Sequence, residues 1–385
     1  MFNASLNGFA VVDPFDVESP VSCGKLRILA TYCVFIFIGS VLANTSLLWT
    51  LIYYKDLRNS VNAFMIALSS CNLLGSLIEM PLVIVSNFNC KWYFKKAGCV
   101  FGAFIMYSIG CISIFLLTAI SFERFYIIYK PMSIKSINQK LSLIIISACV
   151  FFGVLWALFP VFGWSHYSLE GAMTSCSVEW NERSFNVVSY NIAIFAFVYF
   201  LPLIAIAYSN LRLIFMTFRS NRLDLDHSAM RSLNQNLKKF KDPKNITYGK
   251  KGIRNMPKFA NGSDGNLDKK MLKKLKVERE LTVSTLILIA GFMITWTPYA
   301  LVSMYSAFID HGKMDPLTAT IPSMFAKGSL IWSSGIYIYT NKQVKKKFKR
   351  LFMNIEEPTS FSMIKSYSME NPQSKNESQI SKVDT

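Results

Sequence analysis

Long stretches of this chain carry no Asp, Glu, Lys or Arg. They run Ala30–Tyr54, Gly98–Phe122, Leu141–Trp164, Ser184–Leu211 and Leu281–Ile309. Two further stretches hold one charge each: Asn59–Asn89 has Glu79, and Leu317–Asn341 has Lys327. About 20 mostly apolar residues span a bilayer as a helix. Helices of soluble proteins average about 11–12 residues, so seven such runs do not read as the core of a soluble fold. The sequence predicts an all-α membrane protein, a bundle of seven transmembrane helices. Its composition agrees. Of 385 residues, 52% are hydrophobic and only 17% charged, against roughly 25% charged in soluble domains.

The net charge is +18, and its placement decides its meaning. The segment 219–279 holds 17 Lys/Arg against 6 Asp/Glu, and Lys342–Arg350 adds six basic residues and no acid. The positive-inside rule places both on the cytoplasmic face, and an odd number of spans then places the N-terminus outside. Lys91, Lys95 and Lys96 form a smaller basic group on the outer side. The excess charge therefore reports topology and attraction to an anionic inner leaflet, and no nucleic-acid partner is expected. Residues 1–20 lack a basic start followed by an apolar run, so the first span is expected to serve as the insertion signal.

This reading divides the chain into an outer segment 1–26, a bundle 27–340 interrupted by a long basic loop 219–279, a surface helix 341–352 and a polar tail 353–385. The loop is rich in Lys, Asn, Gly and Asp and is expected to be largely disordered. In 342–352, Val344, Phe348, Leu351 and Phe352 recur at helical spacing between lysines, which predicts a short amphipathic eighth helix on the membrane surface. The tail is serine-rich and offers phosphorylation sites.

Of eight cysteines, Cys33, Cys71, Cys111 and Cys149 fall within spans and read as packing residues. Cys23, Cys90, Cys99 and Cys176 fall on the oxidising side. His166, His227 and His311 are scattered, so no metal site is expected. Among the sequons at Asn3, Asn44, Asn245, Asn261 and Asn376, topology leaves only Asn3 open to glycosylation.

Lys327 is the residue that stands out. A cation at mid-span costs about 2.5–3.5 kcal/mol on insertion scales and is functional by default. Three uses are open. It can form a structural ion pair with Glu79. It can line a transport path with Glu79, which would call for further polar residues and repeat symmetry, neither of which is visible. Or its amine, in an apolar pocket, can lose a proton and condense with an aldehyde to a Schiff base.

Ser323-Met324-Phe325-Ala326-Lys327 resembles the retinal-attachment segment of animal opsins, within the class A G-protein-coupled receptors. The resemblance extends from about Gly39 to Phe352. Asn44 matches the helix-one asparagine, and Glu123-Arg124-Phe125 the Asp/Glu-Arg-Tyr motif. Gly163-Trp164-Ser165 matches the start of the second outer loop, and Pro202 the helix-five proline. Trp296-Thr297-Pro298-Tyr299 matches Trp-x-Pro-Tyr of helix six, and Asn341-Lys342-Gln343 the start of the eighth helix. There are departures. Ser333-Ser334 replaces the Asn-Pro before Tyr337, Asn72 replaces the helix-two aspartate, and Asn210 stands where a helix-five tyrosine is expected. Gly102 stands at the helix-three site where vertebrate visual opsins carry their glutamate counterion. The resemblance is to an opsin of a non-vertebrate-visual type.

The resemblance implies retinal bound covalently at Lys327 as a protonated Schiff base, in a pocket that includes Gly110, Trp296, Tyr299 and Ala300. It implies a Cys99–Cys176 disulfide, and the leftover Cys23 and Cys90 suggest a second. The counterion candidates are Glu170, preferred because it matches the loop carboxylate of many opsins, and Glu79. The G-protein switch would comprise Glu123, Arg124, Glu278 and Tyr337. Implied partners are a heterotrimeric G protein, with arrestin and a receptor kinase at the tail. The implied place is the plasma membrane. A receptor for a diffusible acidic ligand, or a retinal photoisomerase, is the alternative. No hydrolase or transferase constellation is present, and an enzyme is not expected.

Overall fold

The structure, a computed structural model, describes residues 15, 18–129, 139–216, 265–310 and 314–353, with side chains excepted at 128, 265–279 and 310. Asn3, the loop 217–264 and the tail from 354 onward lie outside the described residues. The helices are α1 (Cys23–Tyr53), α2 (Ser60–Phe88), α3 (Lys95–Tyr129) and α4 (Gln139–Leu158), followed by α5 (Phe185–Met216) and α6 (Gly265–Tyr305). The seventh span consists of α7 (Pro316–Lys327) and α8 (Ser329–Thr340), and α9 (Lys342–Phe352) follows it. Six of these helices are individually long and apolar enough to cross a membrane. The seventh span is interrupted at Gly328, directly after Lys327. Together they form a seven-helix bundle with a short amphipathic helix at its end.

The bundle is apolar outside and mixed inside, as helices in lipid require. On α1, Ile28, Phe35, Leu42 and Trp49 recur every seven residues and are 71, 70, 63 and 59% exposed. The opposite stripe buries Cys33, Ser40, Asn44 and Leu47. Large apolar groups therefore face outward, and small or polar ones face neighbouring helices.

Polar side chains at this seam hydrogen-bond across helices. Asn44 Nδ2 donates to the carbonyl of Leu330 at 2.9 Å, and Ser334 Oγ donates to Asn44 Oδ1 at 2.6 Å. Ser334 also bonds Ser69 at 2.9 Å, and Asn72 Nδ2 donates to Ser333 Oγ at 2.7 Å. Ser333-Ser334, the departure from Asn-Pro, thus ties α8 to α1 and α2 with neutral groups.

Helix boundaries follow local chemistry. Ser184 accepts from the N–H of Val187, and Asp315 from those of Leu317 and Thr318, ahead of Pro316 at the first turn of α7. These are side-chain caps of otherwise unpaired donors. Asn341 caps α9 in the same way. Pro202 has no N–H to give its preceding turn, and Phe195–Phe200 relaxes into a π-helical stretch there. A second π-helical stretch, Ser306–Asp310, ends α6.

Between α4 and α5 a two-stranded antiparallel hairpin forms from β1 (Tyr167–Leu169) and β2 (Cys176–Val178), with Leu169 opposite Cys176. It lies across one end of the bundle. Cys176 is disulfide-bonded to Cys99 at the start of α3. The residues of its turn are tied at three points. Ala172 N–H donates to Thr320 Oγ1 on α7, Thr174 Oγ1 donates to Asn87 Oδ1 on α2, and Ser19 Oγ donates to the Ala172 carbonyl. A Cys23–Cys90 disulfide joins the start of α1 to the connection after α2.

Candidate functional site

Lys327 closes α7 on its buried side and is 6% exposed, and Glu79 on α2 is 3% exposed. The Lys327 ammonium donates to Glu79 Oε1 at 2.5 Å. Two charges so deeply placed are tolerable together and not singly, because each alone carries a desolvation penalty of several kcal/mol. The ion pair weighed from sequence is therefore formed. Glu170, the carboxylate preferred from sequence, makes different contacts. It follows β1 directly, and its Oε2 accepts from Ser323 Oγ at 2.8 Å and from Ser175 Oγ. Ser323 precedes Lys327 by one turn of α7, so both lie on one face. The hairpin register sets this arrangement, for the Glu170 N–H donates to the Ser175 carbonyl at 2.9 Å and closes the turn.

Two adjoining cavities lead away from Lys327. The nearer, about 40 Å³, is lined by Lys327, Glu170, Ser323, Ala326, Ala103, Met106, Cys176 and Ser177. Tyr107, Trp296 and Tyr299 form its inner limit and also wall the second cavity. That second cavity, about 80 Å³, continues between Gly110, Cys111, Ile114, Ile194, Phe195, Val198, Tyr199, Phe292 and Ala300. Gly110, Trp296, Tyr299 and Ala300, expected together from the resemblance, are all on its wall. Trp296 donates its indole N–H to Ser329 Oγ at 3.0 Å, and Trp180 donates its indole N–H to Tyr299 Oη at 3.3 Å.

The space suits a long apolar aldehyde. One end holds a primary amine, the remainder is aromatic and aliphatic wall, and the carboxylates lie only at the amine end. Those are the requirements of retinal, and the residues present fit it. Sequence reading did not find Tyr107, Phe195, Val198 or Phe292 as part of this space, and named Ser323 only within the segment before Lys327. Within a charge-free run no residue announces which way it faces.

At the opposite end of the bundle, Arg124 and Glu123 on α3 are buried, with Nη2 and Oε1 3.6 Å apart. Tyr337 on α8 donates to Asn62 Oδ1 at 2.5 Å. Glu278 lies on α6 within 265–279, whose side chains are outside the described residues. The α9 helix is fastened beside this end. Lys347 pairs with Asp56 at 2.8 Å and rests over the Tyr54 ring, and Lys342 pairs with Glu280 at 2.7 Å. Among the described residues no cluster of His, Cys, Asp or Glu could hold a metal ion.

Comparison with known proteins agrees with this geometry. The family described as 7 transmembrane receptor (rhodopsin family) matches residues 43–330. The chain is 28% identical over 326 residues to "Rhodopsin, G0-coupled" of Mizuhopecten yessoensis, covering 85% of this chain and 72% of that protein. It is 25% identical over 326 residues to "Visual pigment-like receptor peropsin" of Homo sapiens, covering 85% and 84%. The crystal structure of squid rhodopsin superposes with a TM-score of 0.74 at 22% identity, covering 91% of this chain and 93% of that one. With the family match spanning most of the bundle and opsins among its relatives, the chain belongs to the seven-transmembrane receptors of the rhodopsin family and, within them, to the animal opsins.

Proposed function

We propose that this opsin is a light-sensing receptor that carries retinal covalently on Lys327 and passes the signal to a heterotrimeric G protein. The observation that carries the reading is the buried Lys327 amine at the narrow end of an aromatic-walled space. When bound, retinal supplies an aldehyde for the amine and a polyene whose photoisomerisation changes its shape. Lys327 fixes one end of the ligand, and a carboxylate beside it holds positive charge at its nitrogen. Trp296 and Tyr299 stand where a change of ligand shape is felt. Trp296 is hydrogen-bonded to Ser329, the first residue after the interruption at Gly328. Displacing Trp296 therefore pulls on the junction between α7 and α8, and the bundle has a route to a second arrangement.

At the far end, Arg124, Glu123, Glu278 and Tyr337 form the switch that opens toward the G protein. The Mizuhopecten yessoensis relative is named as G0-coupled, and a partner of that general class is proposed here. Arrestin and a receptor kinase would act at the serine-rich tail. The basic segments at 219–279 and 342–350 orient the chain in the plasma membrane with the N-terminus outside.

The test is reconstitution of the full chain with each retinal isomer in turn, followed by absorption spectra in the dark, after illumination and after acid denaturation. Borohydride reduction is expected to leave a retinyl group on the peptide containing Lys327. Lys327→Arg is expected to bind no retinal, because a guanidinium stays protonated and is no Schiff-base nucleophile. A normal visible pigment from Lys327→Ala would overturn the reading.

A further inference from the structure

We infer that the two glutamates at this site divide its electrostatic work: Glu79 is the fixed charge partner of the Lys327 nitrogen, and Glu170 is the carboxyl through which that nitrogen exchanges its proton with water beneath the hairpin. The inference rests on the proposed role of Lys327.

Glu79 approaches from behind. Its side chain passes Gly102 on α3, where a Cβ would stand 3.9 Å from Glu79 Cγ and 3.1 Å from Leu82 Cδ1. A side chain at 102 would press on Leu82 and on the stem of Glu79, so the glycine leaves room for the glutamate on α2 to pass. Glu79 forms no part of the wall of the cavity beside Lys327, nor of the two that adjoin it. Its Oε1 is on the Lys327 ammonium, and its buried Oε2 has no hydrogen-bond partner among the described residues. A carboxylate so enclosed, with its Oε1 on the cation and apart from these three cavities, is placed to balance that cation rather than to reach the polar space beneath the hairpin.

Glu170 has the opposite setting. It lines the cavity that contains Lys327, and it also lines a third cavity of about 50 Å³ between the hairpin and the ends of α6 and α7. That third cavity is polar, bounded by Ser168, Glu179, Asn181, Ser303 and Ser306 among others. Glu170 is thus a shared wall between a polar antechamber and the amine. Two serine hydroxyls hold its Oε2 in place, one of them on the turn preceding Lys327. In the exchange step, a hydronium ion entering the antechamber gives its proton to the Glu170 carboxylate and leaves as water. The neutral carboxyl then releases it to the Lys327 nitrogen and returns to carboxylate, and deprotonation runs the same path in reverse. The titratable groups facing this pair are Cys33 from α1, Glu79 from α2, Tyr107 from α3, Tyr299 from α6 and Glu179 from the hairpin side.

The experiment compares Glu79→Gln and Glu170→Gln in the full-length protein, with and without retinal. In the reconstituted pigment, Glu79→Gln is expected to lower the dark titration midpoint of the nitrogen by about 1–3 pH units and to move absorption toward the ultraviolet. Glu79→Asp retains the charge at a greater distance and is expected to shift less. Without retinal, Glu79→Gln is expected to lower the melting temperature, and Lys327→Met in that background to restore it. Glu170→Gln is expected to shift the visible maximum less than Glu79→Gln does and to slow the spectral response to a pH jump about tenfold or more. An ultraviolet shift from Glu170→Gln with a visible Glu79→Gln would reverse the assignment. An unslowed pH-jump response in Glu170→Gln would remove the proton path. If the unsubstituted protein forms no pigment, the proposed role of Lys327 fails instead, while the melting temperatures still report whether Glu79 balances the amine.

Discussion

The indole of Trp296 lies against the backbone of Gly110: a Cβ at position 110 would come within 2.8 Å of Trp296 Cη2. The floor of the larger cavity is therefore formed by contact between α6 and α3 that any side chain at 110 would disturb. Gly110→Ala should push Trp296 aside at a cost of about 1–3 kcal/mol, the usual range for overpacking a filled site. A thermal melt of the retinal-free protein measures the cost. The shift of Trp296 should also weaken its bond to Ser329 and alter the visible maximum of the reconstituted pigment.

Removing the partner of a buried charge is more damaging than removing the pair. Lys327→Ala strands Glu79 at 3% exposure and should destabilise by about 3–5 kcal/mol. Glu79→Ala in the same chain should return a large part of that. A double-mutant cycle on melting curves gives the coupling, and simple additivity of the two substitutions would mean that the 2.5 Å contact contributes nothing.

The Cys99–Cys176 bridge spans 77 residues and fixes the hairpin to α3. Closure of so long a loop stabilises by about 2–5 kcal/mol. Cys99→Ser should lower the melting temperature correspondingly. It should also loosen the turn that carries Glu170 and Ser175, seen as faster hydrogen exchange at 170–176. Mass mapping of unreduced peptides should recover both this bridge and Cys23–Cys90.

Lys347 beside Asp56 holds that carboxyl below its ordinary range. A depressed carboxyl contributes stability above its unfolded-state pKa, about 3.9, and loses that contribution as pH falls through the lower folded value. Asp56 is 61% exposed, so solvent screening keeps the effect within about 1 kcal/mol. Hydrogen exchange of α9 should accelerate below about pH 4 in the unsubstituted protein, and Asp56→Asn should show the faster exchange already at neutral pH.

Glu123 lies 3.6 Å from Arg124 in a buried setting. Under the proposed function, Glu123→Gln should weaken the hold on the Arg124 guanidinium and raise nucleotide exchange on the G protein in the dark. A basal rate equal to that of the unsubstituted receptor, at equal surface expression, would show that this pair does not restrain the resting bundle.

Seven spans, the surface helix and Lys327 were all legible in the chain, because hydrophobic length and an isolated charge are properties of sequence alone. So were the residues of the cavity that sit in conspicuous motifs, such as Trp296 and Tyr299. Phe195 and Phe292 were not, since an apolar residue inside an apolar run carries no mark of the direction it faces. The interruption of the seventh span at Gly328 was also hidden, although it places Trp296's partner Ser329 at a joint between two helices.

What the linear order could not decide was which carboxylate meets the amine. Glu79 and Glu170 were both available, and resemblance favoured Glu170. Lys327 is 248 residues from Glu79 and 157 from Glu170 in the chain, and a contact at 2.5 Å depends on how α2 and α7 rotate about their axes as they pack. That packing includes the serine and asparagine bonds joining α1, α2 and α8 and the close passage of Glu79 by Gly102 on α3. The sequence by itself determined that a buried lysine needed a partner. Only the packing of helices distant in the chain decided that the partner is Glu79.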